Sequence, residues 1–151
     1  MSTSDSPQTS AVQQDAAGNA VADDAAAVVT EMARRFQAGD QAGVFQLMHP
    51  AIRVQQPESL PHGGWYEGAE GMARMGAEFG RHWTRTIGEP LIFGSGRRAV
   101  QITTQTWTAK ATGRSATVDV VEVFTVADGL ICEIRVFQQD THLLLETLGE
   151  Q

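Results

Sequence analysis

The 151-residue chain holds a single cysteine, Cys132, so no disulfide framework can staple it. It contains no apolar run close to the roughly 20 residues that span a bilayer. Its first residues show neither a basic start nor an apolar stretch, so a secretory leader is not expected and a soluble cytoplasmic protein is. Basic residues are also scarce. Lys and Arg number 11 against 18 Asp and Glu, giving a formal net charge of −7, which argues against a nucleic-acid partner. His49, His62, His82 and His142 are scattered without metal-ligand spacing, so no metal site is expected. What remains is a chain that is 42% hydrophobic and long enough for one domain with a core and a ligand cavity.

The charge is unevenly placed. Asp5, Asp15, Asp23 and Asp24 lie in a leader of Ser, Thr, Gln, Ala and Asp that contains no Lys or Arg. Such a segment buries too little apolar surface to offset its ordering entropy, so residues 1–22 are expected to form a disordered tail and residues 23–149 a single domain. Asp23 or Asp24 can cap a first helix whose apolar positions are Val28, Val29, Met32, Ala33 and Phe36, with Gly39-Asp40 as its stop. A second helix over 41–48 ends at His49-Pro50, and a strand over 51–56 ends at Pro57. The Gly-rich loop 60–68 leads into a third helix over 69–82 with Met72, Met75, Phe79 and Trp83 as its inward stripe.

Everything after Trp83 reads as strand. Residues 83–93, 99–110, 116–126 and 130–139 are separated by short turns, with Gly113 and Asp128-Gly129 as hairpin signals. A short apolar helix then begins near Asp140. The order predicts an α+β domain: three N-terminal helices packed on one face of a strongly curved, mostly antiparallel sheet. In the strand over 116–126, Thr117, Asp119, Val121 and Val123 share one face, and Val118, Val120, Glu122, Phe124 and Val126 share the other. Both faces are mostly apolar. One must be covered by the helices and the other by a second subunit, so a homodimer through the outer sheet face is expected.

Helix, Gly39-Asp40, short helix, strand ending in Pro57, Gly-rich loop, helix and a meander turning at Asp128-Gly129 together resemble the nuclear transport factor 2-like fold, and within it the SnoaL-like polyketide cyclases. The resemblance spans about residues 24–149. It implies a cone of curved sheet and helices around an apolar cavity, and a site position without a fixed reaction. Ketosteroid isomerases of this fold carry their base in an Asp-Pro pair where this chain has Gln56-Pro57. Their helix Tyr falls at about Met32, and only their oxyanion-hole Asp has a counterpart, Asp119 in Val118-Asp119-Val120. Limonene epoxide hydrolases need an Arg-x-Asp that residues 101–107 lack. SnoaL-like cyclases are similar at Asp140, which follows Gln138-Gln139 and precedes a Leu-rich helix ending in Leu148-Gly149.

The resemblance thus implies acid/base catalysis without a cofactor, with Asp140 moving the proton and Asp119 steadying an enolate oxygen. The residues themselves permit other roles. Asp140 can cap the last helix. Asp119 interrupts an apolar strand, where burial favours a neutral carboxyl able to donate to an enolate, yet it can equally pair with Arg135 or Arg98 or stand at a sheet edge. Glu122, of opposite parity, is expected at the interface or in an ion pair. His62, Trp65 and Tyr66 in the Gly-rich loop, Trp83 and Trp107, and Gln56, Gln138 and Met32 complete the expected substrate-binding set. The expected function is a small cyclase or isomerase acting on an enolisable, polyketide-like, apolar molecule. The alternatives are a non-catalytic carrier of an apolar metabolite, or an epoxide hydrolase or dehydratase of the same fold.

Overall fold

The computed structural model describes residues 24–149. The expected tail over 1–22 lies outside the described residues. Helix α1, Ala25–Gln37, starts at Asp24, whose side chain accepts from the Ala27 N–H. Its buried residues Ala25, Val29, Met32 and Ala33 recur at helical spacing and turn one stripe inward. Helix α2, Gln41–Gln46, repeats the device, with Asp40 accepting from the Gly43 N–H at 2.9 Å. A Cβ on Gly43 would stand 2.1 Å from that carboxylate, so the cap and the glycine require each other.

Strand β1, Met48–Gln56, begins earlier than the proline rule suggests. Pro50 falls where the parallel pairing of β1 with the last strand shifts register, between Met48 and Arg53, so its missing N–H costs no regular ladder bond. The Gly-rich loop contains a short strand, β2, Gly64–Glu67, antiparallel to β1. Helix α3, Gly68–His82, runs directly into strand β3, Trp83–Ile87. The single strand expected over 83–93 is two, because Gly88-Glu89-Pro90 breaks it before β4, Leu91–Ser95. Both pair with different halves of the 12-residue β5, Arg98–Ala109. Strands β6, Ser115–Ala127, and β7, Leu130–Gln138, complete the meander, and α4, Thr141–Glu146, follows. Asp128 and Gly129, with φ of 53° and 75°, supply the two left-handed positions of the β6–β7 hairpin turn.

The strands form one sheet in the order β2-β1-β7-β6-β5-β3, with β4 also on β5. It is strongly curled, an α+β half-barrel with helices on its concave side, as expected. Helix α1 packs against β4 to β7, and α3 against β1, β2 and β3. Among the described residues no helix is long and apolar enough to cross a membrane.

Candidate active site

The curl of the sheet and helices α1 and α3 enclose a cavity of about 460 Å³, within the size range of small-molecule sites. Its walls are largely apolar, with Met32, Met75, Phe79, Trp107, Phe124 and Ile134 among them. Phe36, Phe45 and Ile87 rim it and are themselves exposed, so the cavity opens between the α1–α2 corner and the turn after β3.

Alternation along β5 places Gln101, Thr103, Gln105 and Trp107 on its inner face, all buried. They are not interchangeable apolar filler. The Trp107 indole N–H donates to Gln105 Oε1 at 2.8 Å, and Gln105 Nε2 donates to Thr103 Oγ1 at 2.9 Å. Gln101 lies opposite Glu122 of β6 and donates from Nε2 to Glu122 Oε1 at 2.8 Å. Glu122 is the one carboxylate lining the cavity among the described residues. Burial pushes its carboxyl up from the ordinary value, while the Gln101 hydrogen bond and the positive charge of Arg85 pull it partly back.

Arg85, on β3 opposite Trp107, faces the same side. Its guanidinium lies over the Phe79 ring at 4.6 Å. Desolvation by the surrounding protein lowers its pKa and Glu122 raises it, but its side chain still reaches solvent and it remains a cation. His62 reaches in from the loop after β1. It is 2% exposed and packs edge-on to Phe79, with ring centroids 5.4 Å apart. Desolvation, then the charges of Arg85 and His82, lower its pKa to about 4 against a weak opposing effect of Glu78, so it is neutral near pH 7.

Three buried side-chain polar atoms among the described residues lack a hydrogen-bond partner: Gln56 Oε1, His62 Nδ1 and Gln138 Oε1. All three belong to residues of the cavity wall. Unpaired buried polar atoms are costly, and these three, closed to the cavity space itself, are a local cost of packing its wall. Among the described residues no three His, Cys, Asp or Glu side chains come together as a metal site.

The structure brings together Met32, Gln56, His62, Trp107 and Gln138 of the sequence-derived set, all on the cavity wall. It leaves the others outside. Asp119 points to the outer face of β6, exposed, where its Oδ1 accepts from Thr104 Oγ1 at 2.8 Å. Asp140 is exposed and caps α4, accepting from the Leu143 N–H at 3.0 Å. Trp65 is 42% exposed beneath the Arg53 guanidinium, on the outside of the sheet. Tyr66 is buried but turned to the loop, its hydroxyl donating to the His62 carbonyl at 3.1 Å. Trp83 stands in the core behind Phe79 and Trp107. Glu122, expected by its parity at the interface or in an ion pair, is instead the carboxylate inside. The alternation along β6 holds, but Val121 and Val123 make its outer face as apolar in sequence as its inner one, so the pattern alone does not tell the two apart.

Two consequences can be measured. Asp140→Ala removes a helix cap and costs about 1 kcal/mol of stability. Ligand affinity and turnover stay as in the parent chain, and a turnover loss of tenfold or more in the folded variant would return Asp140 to the chemistry. For His62 the sign follows from a folded-state pKa of about 4 lying below the 6.5 of the unfolded chain. The stability gained by keeping the ring neutral is present above pH 6.5 and lost as pH falls toward 4, by up to about 3 kcal/mol. Urea midpoints compared with those of His62→Gln isolate this contribution. Parallel pH profiles for the two chains would show that His62 is not the group responsible.

Solved structures share the architecture. An NTF2-like protein of unknown function from Burkholderia pseudomallei is 25% identical and superposes with a TM-score of 0.71, over 82% of this chain and 95% of that one. TerC, co-crystallised with polyporic acid, is 23% identical with a TM-score of 0.71, over 82% and 96% of the two chains. A candidate polyketide cyclase from Pseudomonas putida is 15% identical with a TM-score of 0.66, over 81% and 96%. No curated protein matches the chain. The family match is to the SnoaL-like domain over residues 29–134, from the second turn of α1 to the middle of β7. A match across that much of the sequence, on a fold shared with an NTF2-like structure, makes this chain a member of the SnoaL-like domain family.

Proposed function

We propose that the protein is a small cofactor-independent cyclase or isomerase that moves a proton on an enolisable, largely apolar molecule, with Glu122 as acid and base. The observation that carries this reading is Glu122 itself, a carboxylate on the wall of an otherwise apolar cavity, oriented by Gln101 and raised by burial. A carboxylate whose pKa is raised by burial is a stronger base than a surface one, and the proton it takes stays on it, positioned for delivery to the substrate. Glu122 takes a proton from carbon next to a carbonyl, leaving the C–H electron pair as an enolate. For ring closure that carbon attacks a second carbonyl, and the resulting alkoxide receives the proton from Glu122. For isomerisation the proton returns to another carbon of the enolate.

Trp107 spends its N–H on Gln105 and so offers the ligand a ring face. His62, neutral, adds a polar atom without a charge. The co-crystal of TerC with polyporic acid supports the cavity as a small-molecule site, and the family's cyclase members support the reaction class. An epoxide hydrolase or dehydratase is less well served, since the positions that would hold a second carboxylate on β5 are Gln101, Thr103 and Gln105.

Hydrogen exchange of 2-tetralone, an enolisable bicyclic ketone, in D2O tests the reading. Protein-dependent deuterium incorporation next to the carbonyl is expected. Binding without exchange above the uncatalysed rate would establish a carrier instead.

The outer sheet face supports a second copy as partner. Leu91, Ile102, Val121 and Phe137 lie in register across β4, β5, β6 and β7, and Leu91 and Phe137 are 59% and 47% exposed. Such a band is the kind of surface that dimers cover. Sedimentation equilibrium is expected to give a dimer, with Val121→Arg shifting it to monomer; a monomeric parent chain at micromolar concentration would overturn this.

A further inference from the structure

We infer that the ligand of this cavity is a flat, largely apolar organic anion whose acidic group is held by Arg85. The inference names the substrate class of the site proposed above and rests on the reading of that cavity as a substrate site.

Arg85 is the starting point. It lines the cavity, yet among the described residues it makes neither an ion pair within 4.0 Å nor a hydrogen bond. The remaining charge that reaches it from the cavity wall is that of Glu122, acting at longer range. One face of the guanidinium is taken by the Phe79 ring at 4.6 Å, which leaves its in-plane N–H fork free. A planar fork of donors suits a carboxylate or an acidic enolate, which can accept two parallel bonds. An aromatic platform beneath the cation holds it at the cavity wall.

Beyond Arg85 the walls are Phe79, Trp107, Phe124 and Ile134, suited to a flat apolar body. Glu122 faces that body from β6, so the acid/base group addresses the guest while Arg85 holds one end.

Isothermal titration at pH 7 with two probes tests this: 6-hydroxy-2-naphthoic acid and its methyl ester. The hydroxy acid is expected to bind the parent chain roughly tenfold or more tighter than the ester, the usual worth of a charge-assisted pair. Arg85→Leu is expected to erase that preference while still binding the ester, which shows that the variant is folded. Arg85→Lys retains a smaller preference, since a point charge lacks the fork. Equal affinity of acid and ester, a preference that survives Arg85→Leu, or failure of both probes to bind would overturn the inference. Continued Glu122-dependent exchange of 2-tetralone alongside equal affinities would overturn the anion alone. Acid preference without exchange would overturn the catalytic reading and leave this one standing.

Discussion

Glu122→Gln is expected to lower protein-dependent exchange of 2-tetralone by roughly 10²- to 10⁴-fold, the usual contribution of a positioned general acid or base. The substitution keeps the side chain's shape and one carbonyl oxygen, so Gln101 Nε2 still has an acceptor in place of Glu122 Oε1. Nothing else in the cavity can take over. Asp119 is on the other side of the sheet, Asp140 is at the start of α4, and neutral His62 is a weak base at about pKa 4. Removing a buried carboxyl whose ionised form is disfavoured by burial also relieves a cost, so the variant is expected to be at least as stable as the parent. Retained exchange in a folded Glu122→Gln chain would mean that the cavity organises its ligand without supplying the proton. The ratio of turnover to ligand affinity decides between these outcomes, because a carrier would show unchanged affinity and no exchange in either chain.

Trp83→Ala is expected to destabilise the fold by about 3–5 kcal/mol, a large part of the 5–15 kcal/mol typical of a domain. Trp83 is 1% exposed where α3 turns into β3. Its ring stacks on Phe79 at 5.8 Å and meets Trp107 at 5.1 Å. The indole N–H donates to Thr147 Oγ1 at 2.8 Å, and that hydroxyl in turn donates to the Leu144 carbonyl at 2.6 Å. One side chain therefore ties the helix–strand corner to α4 and backs two residues of the cavity wall. Trp83→Phe keeps most of the apolar volume and is expected to lose only the part owed to the hydrogen bond, about 1 kcal/mol. Urea midpoints of the two variants check the difference, and a loss below about 1 kcal/mol for the alanine would show that the core closes over the gap.

Much of this architecture could be read along the chain. Asp24, Asp40 and Asp140 each stand where a helix needs an acceptor for its first free N–H groups, and each does cap one. Asp128-Gly129 fixes the last hairpin through its two left-handed positions. The same local chemistry misled at Pro50, which a shifted parallel pairing tolerates, and at Gly88-Glu89-Pro90, where one expected strand became two serving opposite halves of β5. The resemblance that pointed to Asp140 and Asp119 located the family; in the structure both side chains stand exposed outside the cavity and Glu122 lines it.

The sequence by itself determined the order of helices and strands, the caps, the closing hairpin and membership of the SnoaL-like family, because each rests on neighbours within a few residues or on the pattern of the whole chain. Only the tertiary structure decided which carboxylate is inside. Alternation along β6 separates Asp119 from Glu122 without saying which face meets the helices, and valines on both faces remove the hydrophobic vote. The pairing with β5 settles it: Asp119 lies opposite exposed Thr104, and Glu122 opposite buried Gln101. The rise in the Glu122 pKa, the neutrality of His62 and the unpaired guanidinium of Arg85 come from what surrounds each group in space, and those surroundings are assembled from strands far apart in the chain.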